Sequence, residues 1–222
     1  MNRPWQRLAM AAILLIAAAG ATGCDAFAWI LVKTIGPLMS DDLVQAEFEV
    51  KNKSILVLVD SKDPSLLSDY PWLPMDLADA IGKDLVEHEA CGPVVLPADI
   101  ETARRVEPKF DSWSIAEVGR YFNVDYILHV EVSEFRLKDS SGSNVYQGQA
   151  EAAVRWVSPE TSEQAWPVLA AARVVRGETQ PDVEAETPAE QRSVLINGFA
   201  EKIARQFYAY NPSELSIRPK VK

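Results

Sequence analysis

Ile55 to Val59 form five consecutive aliphatic residues, closed by Asp60, in the stretch SILVLVD. A strand points successive side chains to opposite faces, so an unbroken aliphatic run reads as a strand buried on both. This requirement points to a layered α/β architecture, in which helices cover the sheet. The rest of the chain supplies the layers. MDLADAIGKDLVEHE, Met75 to Glu89, places Leu77, Ile81, Leu85 and His88 on one face at helical spacing. SVLINGFAEKIARQFYAY carries Leu195, Phe199, Ile203 and Phe207 at intervals of four, a second amphipathic helix. The stretch before Met75, SKDPSLLSDYPWLP, reads as a loop, and CGPVVLPAD as a short strand between prolines.

The clearest local signal lies in the middle of the chain. Ser114 with Glu117 three residues on is a capping box that opens a helix with Ile115, Val118 and Phe122 as its apolar stripe. Asn123 is placed to end that helix in a left-handed conformation. Tyr126, Leu128, Val130 and Val132 then alternate with Ile127, His129, Glu131 and Ser133, a long strand with one apolar face. KDSSGSN is a hairpin loop by composition. VYQGQAEAAVRWVS returns with Ala150, Ala152, Val154 and Trp156 on one side. PETSEQ is a second turn, and AWPVLAAARVV a third antiparallel strand. The expected fold is an α/β (α+β sandwich) domain. Its mixed sheet contains a buried parallel strand and antiparallel hairpins, with two to four packed helices on one or both faces.

The N-terminus sets the compartment. Arg3 and Arg7 precede an uncharged apolar run, Leu8 to Thr22, and the pattern is that of a secretory signal. Ala21-Thr22-Gly23-Cys24 resembles a bacterial lipobox, with Ala21 where Leu is usual. That resemblance implies cleavage before Cys24, acylation of its sulfur (palmitate among the chains), and attachment to a lipid bilayer. Asp25 after the cysteine is the residue type that retains many such proteins in the inner membrane. The competing reading is an uncleaved membrane helix running on through Val32. It would carry Asp25 near its middle, at about 2.5–3.5 kcal/mol on insertion scales. Both readings export the folded part, because Arg3 and Arg7 mark the cytoplasmic side. The resulting division is 1–23 signal peptide, 24–44 lipidated N-terminus and tether, 45–210 domain with an acidic linker at 177–191, and 211–222 tail. The domain is expected to face the periplasm or the exterior, on the cell membrane or the outer membrane.

Charge and cysteine content narrow the partners. The formal charge of −10 becomes −12 once Arg3 and Arg7 leave with the signal peptide, which argues against nucleic acid. Cys91 is the one thiol besides Cys24, so no intramolecular disulfide is expected, and Cys91 reads as buried and inert. Two histidines, His88 and His129, show no zinc-ligand spacing, and neither a glycine-rich phosphate loop nor a Gly-x-Ser-x-Gly elbow occurs. No catalytic set, cofactor or metal is expected. Tyr70 and Trp72, beside prolines in a loop, are candidates for partner contact.

The segment SIAEVGRYFNVDYILHVEVSEF, with Asp125-Tyr126 opening the strand, resembles envelope α/β domains of CsgG-like assembly lipoproteins, the TolB N-terminal domain and lipoprotein activators of penicillin-binding proteins. Pro159 to Pro167, PETSEQAWP, is similar to a hairpin of the same group built on Thr-Gly-Glu and a Trp. Here Ser162 stands for the Gly and Glu160 for an Asp. The resemblance implies a non-catalytic binding or assembly module that works through an envelope protein partner. The alternative is a small envelope hydrolase or ligand-binding protein using the Asp60 loop and His129. The first expectation is directly testable. For the lipobox reading, Cys24→Ser should change both the mass of the mature protein and its membrane association, as read by mass spectrometry and fractionation; unchanged mass and membrane association would exclude lipidation.

Overall fold

Strand β1, Ile55–Asp60, lies where the aliphatic run places it, and a carboxylate fixes its neighbour. Asp125 Oδ2 accepts hydrogen bonds from both the amide and the hydroxyl of Ser54, each at 2.8 Å, and the Asp125 amide donates to the Ser54 hydroxyl at 3.0 Å. This clamp starts β2, Tyr126–Asp139, alongside β1 in parallel, with Ile55 opposite Tyr126 and Asp60 opposite Glu131. The computed structural model describes residues 43–139, 146–178 and 187–212. Cys24, the signal segment, most of the tether, the tip of the KDSSGSN loop and residues 179–186 lie outside the described residues. The chain divides into two units, Met1–Leu43 and Val44–Lys222, and the sheet belongs to the second.

β3, Tyr146–Val157, runs antiparallel to β2, and β4, Gln164–Trp166, and β5, Arg173–Glu178, both pair antiparallel with β3. The sheet is therefore mixed and five-stranded, as the α/β reading requires. The anticipated third antiparallel strand is interrupted. Residues 167–172 leave the sheet after a cis Trp166–Pro167 bond, and pairing resumes at Arg173. A bulge at Ser133 shifts the β2–β3 register, so that Val132 and Phe135 face the same side. The apolar pattern changes phase at that point, from Val130 and Val132 to Phe135 and Leu137, and the extra residue keeps both halves on the core.

One face of the sheet is the main core. Val57, Val59, Leu128, Val130, Val154 and Trp156 are buried against helix α2, Leu73–Glu87, and helix α5, Pro188–Ala204. Leu77, Ile81 and Leu85 of α2 and Leu195, Phe199 and Ile203 of α5 are all 2 % exposed or less, as their spacing predicts. The other face carries a smaller core at one end, where Leu56 and Ile127 meet α3, Pro97–Val106, and α4, Ile115–Phe122. α4 has both halves of its capping box and ends at Asn123 with φ 51° and ψ 49°. Gly119 of α4 allows this helix to sit close: a Cβ there would stand 2.5 Å from both Ile127 Cδ1 and Pro159 Cγ.

Five α-helices are present among the described residues, where two to four packed helices were expected. α1, Pro64–Asp69, occupies the stretch read as a loop: Pro64 presets the first turn and the Asp63 carboxylate accepts from the Ser65 amide at 2.9 Å. α3 also opens on a proline and buries only Ile100 and Ala103, too narrow a stripe to stand out by periodicity. The strand read in CGPVVLPAD is reduced to two parallel bridges, Val50 with Cys91 and Ile55 with Val94. Of the linker read at 177–191, Gly177 and Glu178 complete β5, and Pro188 to Gln191 open α5 behind a capping box of Thr187 and Glu190.

Hydrogen bonds from the Ser54 side chain and amide hold the Asp125 carboxyl below its ordinary value of 3.8. A lowered folded-state value stabilises the fold above the unfolded value, and this contribution is lost as pH falls through the lowered one. Ser54→Ala should therefore be less stable than the parent at neutral pH and lose less on acidification below about pH 5. Urea midpoints across that range test this; parallel pH profiles for the two proteins would refute it.

Candidate functional site

Among the described residues the second face of the sheet is covered at one end only, and where that cover stops a row of polar side chains crosses three strands. Register creates the row. His129 of β2 stands opposite Leu58 of β1 and Arg155 of β3, and Asp60 lies two residues further along β1. His129 is 2 % exposed. Arg155 Nε, which can only donate, bonds His129 Nδ1 at 3.1 Å. Nδ1 therefore carries the lone pair and Nε2 the hydrogen, which it donates to Asp60 Oδ2 at 2.9 Å. Asp60, His129 and Arg155 are thus joined in one relay that runs from a carboxylate through a buried neutral ring to a guanidinium.

Of the polar row anticipated on β2, the structure brings His129 and Arg155 together and sends the others elsewhere. Glu131 pairs with Lys62 at 2.7 Å. Ser133, displaced by the bulge, donates to Glu151 Oε1 at 3.1 Å, and Glu151 holds Arg176 at 2.5 Å. His88 is remote from the site: it caps the end of α2 and stacks on Tyr208 with ring centroids 4.0 Å apart. Both nitrogens of His129 are committed, so in this geometry the ring has neither a lone pair nor a hydrogen to offer a substrate. No group of three or more His, Cys, Asp or Glu side chains among the described residues is arranged to hold a metal ion.

Arg155 also lines a hollow of about 280 Å³ between the start of α4 and β4. Arg155, Ser114, Ser162 and Gln164 provide its polar lining, and Ile115, Ala116 and Val157 its apolar wall. The hairpin that closes it is held from outside: Arg120 Nη1 donates to Pro159 O at 2.7 Å and to Ser162 Oγ at 3.1 Å. Ser162 takes φ 62°, a conformation that favours glycine, at the position where the resembled hairpin has Gly. The hollow was not legible in the sequence, since its walls come from residues 114–116 and 155–164 and only the sheet register brings them together.

Tyr70 and Trp72, the expected partner contacts, fold inward as an aromatic cluster. Each ring meets Phe135 edge-on, at 5.1 Å and 5.6 Å, and Arg192 lies 4.1 Å over Trp72 while pairing with Asp76. The apolar residues that do face outward were not singled out. Val168 is 82 % exposed and Leu169 fully exposed, at the tip of the loop between β4 and β5. Gln164 Nε2 ties that loop by donating to Pro167 O at 2.6 Å and Ala170 O at 2.7 Å. Cys91 is half-buried, and burial pushes its thiol up to about 11, in keeping with an inert role. No helix among the described residues is long and apolar enough to cross a membrane.

No protein-family model matches the chain, and no curated protein is similar to it in sequence. Solved structures similar in fold include the PelC dodecamer from Paraburkholderia phytofirmans, at 13% identity over 75% of this chain and 95% of that one, with a TM-score of 0.45. Lipoprotein GNA1162 from Neisseria meningitidis is 16% identical over 64% of this chain and 92% of its own, with a TM-score of 0.41. The hypothetical protein CT253 from Chlamydia trachomatis is 12% identical over 70% and 93%, with a TM-score of 0.39.

The relay makes a stability prediction. Asp60→Ala strands a buried N–H of His129 and should cost about 1–3 kcal/mol, whereas Asp60→Asn keeps an acceptor and should cost less. Urea denaturation separates the two; equal losses would show that Asp60 does not hold the ring.

Proposed function

We propose that this chain is an exported lipoprotein, anchored in the bilayer through acylated Cys24, whose domain acts as a non-catalytic binding or assembly module of the bacterial cell envelope. The observation that carries the reading is the end of the relay. An Asp–His pair that activated a nucleophile would point its second nitrogen at a hydroxyl or thiol; here the buried ring points it at an arginine, a group for holding rather than for reacting. The tied apolar tip at Val168 and Leu169 supports the same reading, because exposed apolar groups on a fixed loop favour protein contact. The lipobox-like run Ala21 to Cys24, and the resemblance of Ser114 to Phe135 to CsgG-like and TolB domains, support an envelope setting for such a module. The hydrolase alternative needs His129 to be released from Arg155 or Asp60 before it could accept a proton.

Crosslinking in cells followed by capture of the tagged chain from isolated envelopes tests the proposal. A stoichiometric protein partner is expected with the parent and is expected to be lost when Cys24→Ser releases the domain. Capture of no protein above background would overturn the reading.

A further inference from the structure

We infer that Arg155 binds a carboxylate group in the hollow beside β4. This inference rests on the binding reading above and assigns the chemistry of its site. Arg155 spends its Nε hydrogen on His129, which leaves the two terminal nitrogens, Nη1 and Nη2. No acceptor among the described residues takes a hydrogen bond from either. Together they form an end-on fork whose two parallel N–H groups match the two oxygens of one carboxylate.

The fork is held in place before a ligand arrives. His129 fixes the guanidinium from behind, Asp60 fixes His129, and the ring between them is buried from water. Ordering a long side chain on binding ordinarily weakens affinity about two- to tenfold, and here the fold has already ordered it. The carboxylates that could fill the hollow from within are engaged elsewhere. Glu117 Oε2 accepts from the Ser114 amide and hydroxyl, both at 2.7 Å, Glu131 is paired with Lys62, and Asp60 faces the far side of His129. Arg120, on the helix that borders the hollow, is tied to Pro159 and Ser162.

The walls select what the carboxylate is attached to. Ile115, Ala116 and Val157 give the hollow an apolar side, while the Ser162 hydroxyl keeps a hydrogen to donate. At about 280 Å³ the space equals roughly nine waters of liquid, enough for an acid of several carbons. Both a free aliphatic acid and the C-terminal carboxylate of a polypeptide present this chemistry.

The test uses the full chain, labelled with ¹⁵N-arginine, in a non-ionic detergent. The Arg155 side-chain resonance is followed during titration with butyrate, with butyramide as the neutral control. N-acetyl-alanyl-alanine with a free carboxylate, and then as its amide, forms the second arm. Saturable shifts are expected with the acids and none with the amides. His129→Gln, which frees the guanidinium, should weaken acid binding about two- to tenfold. Tighter binding of the dipeptide acid than of butyrate identifies a polypeptide terminus as the source; equal or weaker binding identifies a free acid. Absence of a saturable shift with either acid, or equal shifts with acids and amides, overturns the inference whether or not the variant folds. A partner captured from envelopes together with no acid binding would sink this inference and leave the binding module standing; acid binding without a captured partner would do the reverse.

Discussion

The register between β1 and β2 decides everything on the wet face of the sheet, and it is held by one carboxylate. Asp125 locks onto Ser54 at the point where the two parallel strands begin. A slip of one residue would turn Leu128 and Val130 away from α2 and α5 and carry His129 into the main core. With the register as it is, Asp60 reaches His129 and His129 meets Arg155 across the sheet. Neither strand alone specifies that row, because Asp60 and His129 lie 69 residues apart in sequence.

The strands and the two large helices were legible because burial leaves a periodic trace. Ile55 to Val59 and the alternation from Tyr126 to Val132 mark their faces directly, and the capping box at Ser114 names a helix start to the residue. The short helices were not legible for a physical reason. α1 has six residues and one buried side chain, Leu66, so its start is fixed by Pro64 and Asp63 and not by any apolar stripe. The interrupted third strand escaped notice because Pro167 to Ala172 is apolar throughout, and an exposed apolar loop carries the same composition as a buried strand.

The site was half legible. His129 was visible as a polar residue on the wetter face of its strand, and Asp60 as the acid that closes a buried strand. Their order in the relay was not, since it depends on which nitrogen of the ring meets which neighbour. Tyr70 and Trp72 show how a loop setting hides packing. Read among their prolines as candidates for contact, they lie half-buried, because the β2 bulge turns Phe135 to the core side and the aromatic pair closes over it.

The ends of the described fold are also fastened to each other. Val44 and Tyr210 exchange backbone hydrogen bonds at 3.0 Å and 3.1 Å, so the first described residues are held by the segment that follows α5. A pull on residue 44 therefore reaches this bridge before it reaches the sheet. Two bonds loaded one after the other yield at far lower force than the parallel ladder of β1 and β2 loaded lengthwise. Residues 44 to 46 can thus peel away as a spring that adds about 10–11 Å of reach, while Glu47, bonded to Gln206 O at 2.7 Å and to Arg173 at 3.0 Å, and Phe48 against Tyr126 and Trp156 act as the stop.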